Sequence, residues 1–98
     1  MNDLDLKCDQ LSIGIEELFV FPACLDWYQK ARGLMSGNNM ITYNFSNCRH
    51  IDSSALGVLF ALTRTRSPGA PRAEFINVDP GVLKIMCLYK LDKFYTIN

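Results

Sequence analysis

Met40-Ile41-Thr42-Tyr43-Asn44-Phe45, a short connection from Ser46 to Ile51, and then Asp52-Ser53-Ser54-Ala55-Leu56-Gly57-Val58-Leu59-Phe60-Ala61-Leu62 form the stretch on which the fold turns. The first six residues are rich in β-branched and aromatic side chains, which suit a buried strand. Asp52, Ser53 and Ser54 are helix starters, because their side-chain oxygens accept hydrogen bonds from first-turn N–H groups that otherwise lack partners. The apolar run that follows is helical if Leu56, Leu59, Phe60 and Thr63 form its buried stripe. Ser67-Pro68-Gly69-Ala70-Pro71 then breaks the helix.

The same alternation extends to both sides. Downstream, Ala73 to Val78 reads as a strand, and Asp79-Pro80 as an N-cap with proline at the first helical position. Val82, Ile85, Met86 and Tyr89 space out a third helix, and Lys93 to Ile97 is an edge strand. Upstream, Leu4, Leu6 and Cys8, then Leu11, Ile13 and Ile15, alternate on either side of Asp9-Gln10, as in two short strands joined by a tight turn. Leu18 to Phe21 either prolongs a strand or leads into a helix. From Pro22 the period is helical, through Leu25, Tyr28, Ala31 and Arg32, until the Gly, Ser and Asn cluster of residues 33–39. The order strand, strand, helix, strand, helix, strand, helix, strand implies an α/β fold. A mixed central sheet of about four to five strands with helices packed on it is expected.

Composition limits the function classes. Ninety-eight residues make one modest domain, expected to span 1–98 without a linker or repeat. Ten basic and ten acidic residues cancel, so nothing favours nucleic acid or an anionic membrane as a partner. The longest apolar stretch, Ala55 to Leu62, falls far short of the roughly 20 residues that cross a bilayer. The acidic, polar start Met1-Asn2-Asp3-Leu4-Asp5 is unlike a secretory signal, and a cytoplasmic location is expected. Cysteines 8, 24, 48 and 87 form no C-x-x-C pair. Cys24 and Cys87 lie among apolar residues, as buried reduced thiols would. Cys48 and His50 supply at most two ligands, too few for a metal site.

No catalytic motif is present. Ser53, His50 and Asp52 are near neighbours in sequence, whereas a working triad converges from separate elements. Walker, Rossmann and H-E-x-x-H motifs are missing, so neither an enzyme nor a cofactor is expected. The helix after Asp52 is informative in another way, because it is apolar on every side. Either a neighbouring helix covers its outer face or a partner does. Ser53 itself stands at the positive end of that helix, where a phosphate would be tolerated.

Ile51-Asp52-Ser53-Ser54-Ala55-Leu56-Gly57-Val58-Leu59, the break after it, the strand Phe75-Ile76-Asn77-Val78 and the ending Leu91-Asp92-Lys93-Phe94 resemble the STAS domain of sulfate transporters and anti-sigma-factor antagonists. The resemblance runs from about Met40 to Ile97. It implies a non-catalytic protein-binding module with a mixed sheet. In anti-sigma-factor antagonists the serine directly after the aspartate is phosphorylated by a partner kinase that is also the anti-sigma factor, and Ser53 matches it. By the same likeness Asp52, Ser54, Ala55, Leu56 and Gly57 belong to the partner-binding face. The sequence departs from the pattern at Ala55, where glycine is usual, at Asn44, where an acidic residue is common, and in Ile13 to Leu18. Standalone domains of this kind also serve as subunits of phospholipid-transport ABC complexes, where the same region contacts the ATPase without a switch.

Overall fold

The computed structural model describes residues 10–34, 40–66 and 69–97. In chain order they form β1 (Gln10–Gly14), β2 (Leu18–Phe19), α1 (Ala23–Leu34), β3 (Met40–Asn44), β4 (His50–Ile51), α2 (Ser53–Thr63), β5 (Glu74–Ile76), α3 (Pro80–Leu88), a 3₁₀ turn (Leu91–Lys93) and β6 (Thr96–Ile97). The strand expected over Leu4 to Cys8 lies outside the described residues. β2 and β4 pair with each other in parallel, apart from the main sheet. Two residues each are too few for alternation to register in the sequence.

The α/β architecture is as expected: one sheet in the order β1-β3-β5-β6, with three helices packed on it. Every pairing among the described strands is parallel. The antiparallel partner expected for a mixed sheet is assigned from sequence to Leu4 to Cys8, outside the described residues. Successive strands are added in one direction across the sheet. Right-handed crossovers then place all three helices on the same face.

Burial follows that geometry row by row. Ile13, Tyr43, Phe75 and Ile97 are aligned across the four strands on the helix side, and the first three are buried. Ser12, Thr42, Glu74 and Thr96 form the adjacent row on the other side, polar, with Ser12 and Thr96 exposed and Thr42 and Glu74 partly buried. A parallel sheet covered on one face alternates in sequence as an antiparallel one does.

The core is a run of aromatic rings. Phe19 meets Trp27 at 4.9 Å, Trp27 meets Tyr43 at 5.9 Å, and Phe75 stacks on Tyr95 at 4.2 Å. Polar tips on buried rings need partners. The Trp27 indole donates to the Gly14 carbonyl at 2.9 Å, pinning α1 to β1. The Tyr95 hydroxyl donates to the Leu59 carbonyl at 2.6 Å, pinning the β6 edge to α2. Burial pushes the Tyr43 phenol up to about 12, and raises that of Tyr95 further still.

α1 is rotated from its expected setting, while on α3 the expected stripe holds for Val82, Ile85 and Met86 and fails at the C-cap Tyr89. α1 buries Cys24, Trp27 and Ala31, with Leu25 turned outward and Arg32 lying over the exposed side of Tyr28. The largest ring sets the rotation, because Trp27 must reach Gly14. On α3, Val82 and Met86 face the core, while Tyr89 is exposed. Cys87, expected among buried residues, is also exposed. It lies about 100° round the helix from fully buried Met86. Cys24 and Cys48 are buried free thiols, and desolvation raises both. No helix among the described residues is long and apolar enough to cross a membrane.

Phe75 is fully buried against Tyr43, Phe45 and Tyr95. Phe75→Ala is expected to cost about 3–5 kcal/mol, read as a fall in the urea midpoint. Brief treatment of the native protein with a maleimide is expected to label Cys87 and spare Cys24 and Cys48 in peptide mapping. Equal labelling of the three would contradict the setting assigned to α3.

Candidate functional site

Asp52 organises the start of α2. Its backbone is extended (φ −119, ψ −177), as an N-cap requires, and one carboxylate oxygen accepts the Ala55 N–H at 2.9 Å. The other oxygen accepts the Phe21 N–H at 2.9 Å, across 31 residues of sequence. One side chain thus caps α2 and anchors the segment leading into α1. Those two N–H groups, that of Phe21 first, hold the carboxyl below the usual carboxylate range. Of the nominal Ser53, His50 and Asp52 set, Asp52 is thus engaged as a cap and tether. His50 is exposed, and its carbonyl accepts from the buried Cys48 thiol at 3.7 Å. Among the described residues, no three His, Cys, Asp or Glu side chains come together as a metal site.

Beyond the cap, the expected docking residues divide. Ser53 is exposed as the first residue of α2, Ser54 is half-buried, and Gly57 is exposed. Ala55 and Leu56, expected on the partner face, are buried in the core. They sit on the side of the helix that meets the sheet. Ala55 is fully covered, so its departure from glycine adds nothing to the surface. Ser54, Gly57 and Ala61 share the outward line, since residues three and four apart lie on one helical face.

Phe21, Leu25 and Tyr28 stand opposite that line, and together with Ser54, Gly57, Val58 and Ala61 they border a groove of about 360 Å³. Phe21 is 60% exposed and Leu25 43%. Gly57 has open space where a side chain would project, so nothing from α2 closes the groove there. A second groove of about 370 Å³ lies on the far side of Gly57, against Phe60, Arg64 and Phe94. Both readings of the all-apolar helix hold in part. The sheet and α1 cover most of α2, and a strip along Gly57 and Ala61 remains open.

The places of Phe21, Leu25 and Phe94 on these grooves were not anticipated from sequence. Phe21 sits immediately before Pro22, at the entrance to α1, and an aromatic there was the available signal. Leu25 was hidden by its helical spacing, which fits an inward stripe one position away. Asn44, where the likeness has an acidic residue, accepts the Ser46 N–H at 3.0 Å and the Asn77 side-chain amide at 3.3 Å. It ties together the chain leaving β3 and the chain leaving β5. No protein-family model, curated protein or solved structure matches this chain.

Asp52→Ala is expected to lower stability by about 1–2 kcal/mol, because it removes a helix cap and a tether at once. The pH dependence follows from the depressed carboxyl. Its contribution is complete above the unfolded value near 4 and is lost as pH falls through the lower folded value. Urea midpoints between about pH 6 and 2 should therefore fall less steeply for Asp52→Asn than for the parent chain.

Proposed function

We propose that this chain is a STAS-like protein-binding module of the anti-sigma-factor-antagonist type, with Ser53 as its phosphoacceptor. The observation that carries the reading is the placing of Ser53, an exposed hydroxyl at the start of α2, beside the groove between Ser54, Gly57 and Ala61 and the opposed Phe21 and Leu25. Exposed aromatic and aliphatic side chains around a small-residue floor are suited to take an apolar anchor from a partner.

The electrostatics support a switch at this position. α1, α2 and α3 each follow a parallel strand, so their N-termini gather at one edge of the sheet. A phosphate on Ser53 would meet the positive end of α2, and the helix would survive it. It would also bring about −1.5 to −2 charges to the edge of an apolar groove. Asp52 already binds two N–H groups and adds a further negative charge alongside. A partner whose apolar side chains lie over the groove would be displaced. In this scheme the unphosphorylated domain holds an anti-sigma factor with serine-kinase activity, and phosphorylation releases it.

The test uses such a kinase with the intact chain, ATP and mass spectrometry, followed by binding measurements on variants. Phosphate is expected on Ser53, and Ser53→Asp is expected to weaken binding about tenfold or more while Ser53→Ala does not. Leu25→Glu, at an exposed position, is expected to abolish binding without unfolding the domain. Modification elsewhere, or undiminished binding by Ser53→Asp, would remove the switch. Constitutive binding of an ATPase subunit by both Ser53 variants would instead favour the transport-complex reading.

A further inference from the structure

We propose a second site at the opposite end of α2, a cavity that takes a small phosphate monoester through Arg66, Arg72 and Lys93. It is independent of the docking reading, and shares none of that groove's lining residues. The cavity holds about 290 Å³. It forms where the chain leaving α2, the segment before β5 and the turn before β6 come together.

Arg66, Arg72 and Lys93 line it from those separate segments, and no acidic residue is among its described lining residues. Glu74 and Asp92, chain neighbours of Ala73 and Lys93, are not part of the wall. In a chain whose charges balance overall, this gathers three basic residues around one cavity. Both guanidinium groups are oriented by backbone carbonyls. Arg66 donates to the Pro71 carbonyl at 2.7 Å, and Arg72 donates to that of Lys93. Such a bond orients the planar guanidinium group. The Arg66 charge also lies close enough to Tyr43 and Tyr95 to favour their ionised forms, opposing the effect of burial.

The negative end of α2 would ordinarily repel an anion here. Its last carbonyls already accept hydroxyl donors instead. Thr63 donates to Phe60 at 2.6 Å, Thr65 to Leu62 at 2.8 Å, and Tyr95 to Leu59. Apart from Thr63, the rest of the described wall is apolar or aromatic, with Leu62, Pro71 and Phe94 among its residues. Planar guanidinium forks match phosphate oxygens, and three cations suit a dianion better than a carboxylate. The volume lies at the small end of ligand pockets, roughly 300–1,000 Å³, which leaves space for a phosphate and one compact apolar group.

Phenyl phosphate is the probe, titrated into the ¹⁵N-labelled chain, with inorganic phosphate, benzoate and benzyl alcohol for comparison. Saturable shifts are expected at Thr63, Ala70, Arg72, Lys93 and Tyr95, with inorganic phosphate and benzoate each weaker by about tenfold or more and benzyl alcohol silent. Arg66 is half-buried and its loss endangers the fold, so exposed Arg72→Gln and Lys93→Gln carry the test, with circular dichroism as the fold check. Each is expected to weaken phenyl phosphate binding about tenfold. Undiminished binding by both variants, shifts spread evenly over the basic surface, or no binding at all would overturn the site. Benzoate binding as tightly as phenyl phosphate would overturn the phosphate assignment.

Discussion

Each strand of the main sheet is laid beside the previous one in the same direction, and right-handed crossovers then leave the chain no choice of face. Three helices must crowd onto one side of four short strands. α2, which joins the two interior strands β3 and β5, is the most confined, with sheet beneath it and α1 beside it. That confinement explains its composition. Ala55, Leu56, Val58, Leu59 and Leu62 are buried, and the outer line is kept small at Gly57 and Ala61. The polar row Ser12, Thr42, Glu74 and Thr96 is the complement of the same rule, since the three described helices all pack on the other face.

Crossovers of one kind also give the helices one direction. Their N-termini, where backbone N–H groups lack partners, come out at the carboxyl edge of the strands. Asp52 and Asp79 cap two of them, each accepting a first-turn N–H at 2.9 Å. Asp52 differs in the use of its second oxygen, which holds Phe21 and with it the entrance to α1. The groove beside Ser53 depends on this contact, because Phe21 and Leu25 form its outer wall. Cap and docking surface are therefore one construction. A charge added at Ser53 would act on a wall whose position is set by the adjacent carboxylate.

The period changes along the chain made the main elements legible from sequence. Three helices and four sheet strands follow directly from alternation and from the Asp52 and Asp79 caps. The β2–β4 pair was beyond that reach, because two residues carry no period. Rotations about helix axes were also hidden. Leu25 and Trp27 both fit a helical stripe, and only the demand of the Trp27 indole for Gly14 decides between them. Cys87 was misplaced for the same reason, since apolar neighbours in sequence do not say which way Met86 will point. At the site, Asp52 and Ser53 were legible as a cap and an exposed hydroxyl. The division of Ala55 and Leu56 from Gly57 was not, because a helix apolar on every side offers no moment from which to read its inner face.

The basic cavity was least legible, since Lys93 lies 21 residues beyond Arg72, and Arg66 and Arg72 flank a Pro/Gly turn that reads from sequence as a solvated loop. Arg64 and Arg66 differ by only two residues. Yet Arg64 borders the groove near Phe94, while Arg66 is held inward by the Pro71 carbonyl. What separates them is the way α2 ends. Thr63 and Thr65 turn their hydroxyls back onto Phe60 and Leu62, and the Arg64 N–H closes a tight turn on Ala61. The helix therefore stops at Thr63, ahead of the Pro/Gly break, and the chain departs with Arg66 directed under the segment that leads to β5. The two ends of α2 are thus built on opposite principles. At Ser53 the helix presents an exposed hydroxyl beside a carboxylate cap, whereas at Arg66 its acceptors are satisfied by hydroxyls and the positive charge is supplied by side chains.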